Sequence, residues 1–542
     1  MFPVPRPSLL EQVLRNVARR YRLPPIPAPG MPVPPSLPTS PSSPVAAGQA
    51  PGPAATLALA LEHARVAMER GETPDAALKP LFLEALARMI HDAMQAEHGD
   101  PVFQAMVLRH RLPRVREYAS LSAHADRDQR RVRAMVDAVA HPGKAQARGA
   151  GPERMALARL HALASSAAWA ALADSARHLA GMPRISSDAP LLRGLQKLLD
   201  DPALARLQRV AELASDEAVQ RHQALLDRNG PRAGSPEASA QGWTTQRRGA
   251  AVEASAARVL AALAQRLNDT EQGHDLYRVV TSMRVPASIP GNAERAKSEW
   301  DAVLLRRAPP LRPASDHEAN LADDFRAAAA PGTPSPGIVN EKPSAPAGAP
   351  CGLASAPRWD ICLLVEAKAS IDAAATDFPR LLRGLRLLAH ADATSVYPFE
   401  TQQGVVCLRG ASLKALKADA DDPAGTVLYC CDVPTDTSTR VLSAASRMQL
   451  LCAQGSLVYA SRLAEQQSVA HANGRGERRS VDHANGLADQ QSLDYHDLEP
   501  VWDELLASPR WHGVLHQYAT LRRARALMVN VEDLAAAIDG AA

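Results

Sequence analysis

Half of the 44 prolines in this 542-residue chain fall in two short stretches, and that distribution limits the fold more than any other feature. Twelve lie between Pro24 and Pro53, and ten between Pro309 and Pro357. Proline fixes φ and has no amide to donate, and neither stretch shows an apolar period, so both read as extended and disordered. At about 150 residues per domain, the length alone would call for three or four domains. The proline map reduces this to two folded units. The first stretch reads as a linker (23–53) and the second as an insertion (308–357) inside a folded region.

The rest of the chain can build a core. The chain as a whole is 46 % hydrophobic but only 4 % aromatic, so the core is made of small aliphatic side chains. A net charge of +3 is no polycation, so any nucleic-acid contact has to rest on a local patch. Only eight of the 61 basic residues are lysines (79, 144, 197, 297, 342, 368, 414 and 417), which makes each lysine informative. The six cysteines all follow residue 350, without CxxC spacing and mostly inside apolar runs. They read as small buried hydrophobes of a reducing compartment rather than zinc ligands. The first residues lack the apolar core of a signal peptide, and no apolar run reaches the length of a membrane span. The expectation is a cytoplasmic protein without membrane contact.

Residues 1–22 contain a basic amphipathic helix, with Leu9, Leu10, Val13, Leu14 and Val17 on one side. Residues 54–228 follow a 3.6-residue apolar period almost throughout, predicting an all-α domain. Its helices are expected near 76–90, 127–140, 151–180, 189–199 and 202–227. His91 and His98 read as a solvated face. A Gly/Ser/Pro-rich hinge is expected at 229–247, then a helix over 249–268. Apolar segments of strand type follow at 276–280, 300–305, 361–365, 405–408, 426–430 and 457–459, with a helix at 372–391. Continuously apolar strands predict a central sheet covered on both faces. Residues 461–486 read as a loop in which SVAHANG (468–474) recurs as SVDHANG (480–486), and 487–542 as a helical tail. The expected fold is an all-helical N-terminal domain followed, over 248–460, by an α/β core with a mixed sheet flanked by helices.

One segment concentrates the chemistry. Residues 361–365 (ICLLV) lead into Glu366-Ala367-Lys368. Residues two apart on a strand share a face, so the carboxylate and ammonium stand side by side at the end of a buried strand. Burying that pair is costly, which a functional role explains. Asp301 begins the preceding apolar strand, with Glu299 on the same face. If the two strands pair as a hairpin, Asp301 and Glu366 reach one cation. Paired carboxylates, substrate phosphate and water suit Mg²⁺, with Mn²⁺ an expected substitute. Lys368 then orients water or stabilises developing charge, and Glu253 on the helix before is a further acidic candidate.

This order, a helix with Glu253, a strand, a strand with Asp301, and a strand with Glu366-x-Lys368, resembles the PD-(D/E)xK nuclease superfamily, whose fold is restriction-endonuclease-like. The resemblance covers about 248–460. It implies metal-dependent hydrolysis of phosphodiesters, DNA being the expected substrate. Asp301 and Glu366 would be metal ligands, Lys368 the catalytic lysine and Glu253 the helix carboxylate. Arg380, Arg383 and Arg386 on the following helix would face the nucleic-acid backbone. Trp300 stands where the superfamily often has proline, and the proline-rich insertion lengthens the spacing from Asp301 to Glu366. The alternative is a non-catalytic scaffold with an inert nuclease-like fold, whose helical domain binds a protein partner. Absence of GxxxxGK[ST], HExxH and GxSxG motifs removes the common NTPase, zincin and α/β-hydrolase classes.

Overall fold

A computed structural model describes residues 7–23, 52–143, 151–231, 234–273, 275–309, 356–419, 423–434, 441–472 and 495–541. Most of both proline-rich stretches, and the second copy of the 468–474 repeat, lie outside the described residues. The chain divides into two compact units. One comprises Met1–Pro51, Gln241–Ser443 and His516–Ala542; the other comprises Gly52–Ala240 and Ala444–Leu515.

The second unit is helical, and the sequence shows why its helices begin where they do. Pro53, Pro101, Pro152 and Pro202 each occupy the first turn of a helix, where a missing amide costs nothing. Asp100, Asp188, Asp201 and Asp216 cap helices by accepting bonds from first-turn amides. Two helices expected to be continuous are each broken in two. Ala167, in the left-handed region at φ 57°, separates Pro152–Ser165 from Trp169–Ala180. Asp216 starts a new helix, Glu217–Arg228, after Pro202–Leu213. Leu457, Val458 and Tyr459, expected in a strand, lie within the helix Gln454–Ala472, which also runs into the segment expected to be a loop. Three apolar residues in a row fit either period, and the alanines and glutamines around them favour the helix.

The first unit carries a seven-stranded mixed sheet: β1 Tyr277–Arg284, β2 Glu299–Arg307, β3 Arg358–Ala367, β4 Val396–Thr401, β5 Gly404–Arg409, β6 Val427–Cys431 and β7 Met528–Asn530. Their order is β2-β1-β4-β5-β3-β6-β7, and β2 pairs with β3 as well. Five strands therefore close into a barrel-like ring. The expected mixed central sheet is present, and it closes on itself instead of lying open. The cause is the β4–β5 hairpin. Its β4 meets β1 at Arg284↔Glu400, while β5 takes the start of β3 at Arg358 and Trp359. The end of β3, Leu364 to Ala367, is left for parallel pairing with β6, which in turn pairs with β7.

Each face of the sheet has its own core. Phe378, Leu381 and Leu385 of the helix Ile371–Leu388 cover Val303, Leu305, Leu364, Phe399 and Tyr429. On the other face, Val252, Ala256, Leu260 and Leu263 pack over Ala302, Leu304, Leu363, Val365 and Val529. These four belong to a 35-residue helix, Pro236–Thr270, which begins inside the expected hinge. The helix Ser8–Asn16 joins the same core through Leu9, Leu10 and Val13, so the N-terminal amphipathic helix is part of this unit. The expected helical tail contributes β7. No helix among the described residues is long and apolar enough to cross a membrane.

Candidate active site

Three neighbouring strands place the candidate side chains. The antiparallel register pairs Ala302 with Val365; one step further, Asp301 stands opposite Glu366. On the other side of β3, the parallel register sets Glu366 beside Tyr429 of β6. Asp301, Glu366 and Tyr429 therefore lie in one row across the sheet. The row sits at an irregularity. Trp300 and Val303 join the same core although Ala302 faces the other, so alternation breaks around Asp301. Across the register from Asp301, Ser282 is in the left-handed region at φ 51°. Such departures re-aim side chains. Here Asp301 accepts the backbone amide of Ala367 on Oδ2 at 2.8 Å, which binds the end of β2 to the end of β3.

Glu366 is fully buried. Its Oε2 receives Lys368 Nζ at 3.1 Å and also pairs with Lys297 Nζ. Its Oε1 has no hydrogen-bond partner among the described residues. Asp377, from the covering helix, lies 3.5 Å from Lys368 Nζ and 4.0 Å from Lys297 Nζ, and accepts the Tyr429 hydroxyl at 3.5 Å. Burial pushes the Glu366 carboxyl up to about 7; Asp301 adds to the shift, and Lys297 and Lys368 oppose it. Burial pulls Lys368 down, but Glu366, Asp377 and Asp301 together outweigh it and leave its pKa raised. Lys368 is therefore an ammonium at neutral pH. Burial raises the Tyr429 hydroxyl, with Asp377 and Glu366 contributing.

Glu253 lies exposed on the long helix. Partial burial and then Asp301 raise its carboxyl, while Lys368 pulls it down, which puts it in electrostatic reach of the row. Glu299 turns to Arg284, at 3.7 Å. Arg380, Arg383 and Arg386 lie exposed on the covering helix beyond Asp377. Of these, Arg383 donates to the Arg295 carbonyl at 2.9 Å. The structure thus gathers Asp301, Glu366 and Lys368, with Glu253 nearby, and adds Lys297, Asp377 and Tyr429. Lysine scarcity was a signal for Lys297, since two of only eight lysines meet one carboxylate. Asp377 and Tyr429 left no sequence signal, because helix docking and strand pairing bring them in.

No group of three or more His, Cys, Asp or Glu side chains among the described residues is arranged to hold a metal ion. The available set is a carboxylate pair with one unpartnered buried oxygen. Mg²⁺ uses one or two carboxylates and takes its remaining ligands from water and phosphate, so this set fits it. With all groups ionised, Asp301, Glu366, Asp377 and Glu253 against Lys297 and Lys368 leave a charge of −2, which one divalent cation neutralises. No family model matches the chain, and no curated protein or solved structure matches it either.

Proposed function

We propose that the protein is a metal-dependent nuclease that hydrolyses phosphodiester bonds, with DNA as substrate, through a site of the PD-(D/E)xK kind. The observation that carries this reading is the convergence of Asp301, Glu366 and Lys368 at the ends of two paired strands, with a fully buried carboxylate oxygen left unpartnered. Mg²⁺ held by Asp301 and Glu366 would polarise the scissile phosphate and acidify water. Asp301 is fixed by the Ala367 amide and Glu366 by its lysines, so both carboxylates are oriented before substrate arrives. Lys368, charged and partly open to solvent, stabilises the negative charge that develops on the phosphate oxygens. Glu253, within electrostatic reach of Asp301, adds negative charge to the site. Arg380, Arg383 and Arg386 offer an exposed basic row for the nucleic-acid backbone. The ring closure sets the sheet apart from an open one, but it involves the start of β3 and leaves its end, with Glu366, paired to β6.

Purified protein with Mg²⁺ or Mn²⁺ is expected to nick or degrade DNA. Lys368→Ala, Asp301→Asn and Glu366→Gln should each lower the rate by about a hundredfold or more, with circular dichroism unchanged. Metal-dependent cutting that survives in all three variants would sink the site; folded protein with no cutting on any nucleic acid favours the scaffold reading.

A further inference from the structure

Lys297 lies outside the ExK triplet, yet it is held at Glu366 more tightly than a chance ion pair would be. Its side chain is 8 % exposed, and its ammonium pairs with Glu366 Oε2, the oxygen Lys368 already occupies. The backbone is fixed as well. Its amide donates to the Arg380 carbonyl at 3.2 Å. Opposite stands Gly384, where an added Cβ would come 2.7 Å from the Lys297 Cβ and 3.2 Å from its carbonyl oxygen. A glycine in mid-helix gives up helix propensity, and here it makes room for this one residue. The helix carrying Asp377 thus clamps Lys297 beside the β2–β3 pair.

We propose that Lys297 is a positioning residue of the metal site: it holds Glu366 Oε2 so that Oε1 is the oxygen offered, and its charge limits the site to one loosely held divalent cation. The proposal rests on the nuclease reading and deepens it. Two ammonium groups on Oε2 leave a metal ion only Oε1, so the carboxylate cannot turn to chelate with both oxygens. They also offset half of the negative charge of the four carboxylates, which keeps the cation exchangeable. Without Lys297 the site charge falls from −2 to −3 and Glu366 loses one of its two anchors. The metal then binds more tightly, in a geometry less suited to reaction.

The test uses the full chain with Mn²⁺ as probe, its binding followed by electron paramagnetic resonance at low ionic strength and DNA cleavage measured alongside. Lys297→Met should tighten Mn²⁺ binding by about threefold or more, and lower kcat by about tenfold or more with KM for DNA unchanged. Lys297→Arg, which keeps the charge, should return Mn²⁺ affinity to the wild-type value. Lys297→Gln replaces the Met variant if melting shows that Met does not fold. Mn²⁺ affinity that is unchanged or weaker in the uncharged variant, or a wild-type kcat, overturns the role of Lys297 and leaves the nuclease reading standing. Wild-type protein that neither binds Mn²⁺ nor cuts DNA overturns both.

Discussion

A carboxylate with no exposed surface, two ammonium groups on one oxygen and none on the other, is costly to bury, because its second oxygen gives up water without replacement. That cost shows in protonation. The Glu366 carboxyl sits at about 7 in the folded protein against a usual 4.5, so the folded chain holds this proton more firmly than the unfolded chain. The stabilisation is fully present below about 4.5 and is lost as pH rises through about 7. In EDTA, the melting temperature of wild type relative to Glu366→Gln should therefore fall between pH 5 and pH 8. Saturating Mg²⁺ at pH 8 should raise the wild-type melting temperature and leave Glu366→Gln unmoved, since a ligand of the folded state stabilises it. A flat difference curve would remove Glu366 as the titrating group. Cutting should also weaken below pH 7, where proton and metal compete for the same carboxylate.

Elements hold these residues in place through a few close contacts. Asp360 of β3, 2 % exposed, is gripped by Arg409 of β5 through two bonds, one at 2.8 Å from Nε. Arg409→Met strands that buried charge, and should cost about 3–5 kcal/mol in urea unfolding. Gly384→Ala pushes on Lys297, and should cost about 1–3 kcal/mol together with a larger proportional loss of cutting. Equal stability of Gly384→Ala and wild type would show that the Lys297 segment yields. These contacts also mark the limit of what the sequence discloses. Asp301, Glu366 and Lys368 were legible because each sits at the end of an apolar run, and strand periodicity fixes which neighbours share a face. β4 was hidden because Pro398 breaks its pattern, and β7 because three residues carry no period. Ring closure rests on β4, which joins β1 to β5, so the closed ring was not legible in the sequence. Lys297 showed itself only through rarity, and Asp377 only after its helix had docked.

At the scale of the whole molecule, the ends of the chain meet in the sheet-bearing unit. Tyr21 is fully buried, its hydroxyl donates to the Val433 carbonyl, and Asn530 Nδ2 donates to that hydroxyl at 3.2 Å. Arg19 reaches the carbonyls of Ala526 and Leu527. Deleting residues 1–23 uncovers Leu10, Val13 and Tyr21 contacts, and should lower the melting temperature of the full chain by about 10 °C or more. A change within about 2 °C, read by scanning calorimetry, would show that the segment is an accessory. The interleaving of the two units has a consequence for synthesis. β6, which carries Tyr429 and flanks Glu366, has its outer edge covered by β7, and Tyr429 donates its amide to the Leu527 carbonyl at 3.0 Å. Those residues leave the ribosome only after the helical unit's Ala444–Leu515 segment has emerged. A nascent chain therefore carries Asp301, Glu366 and Lys368 well before β7 exists to complete the sheet that aligns them.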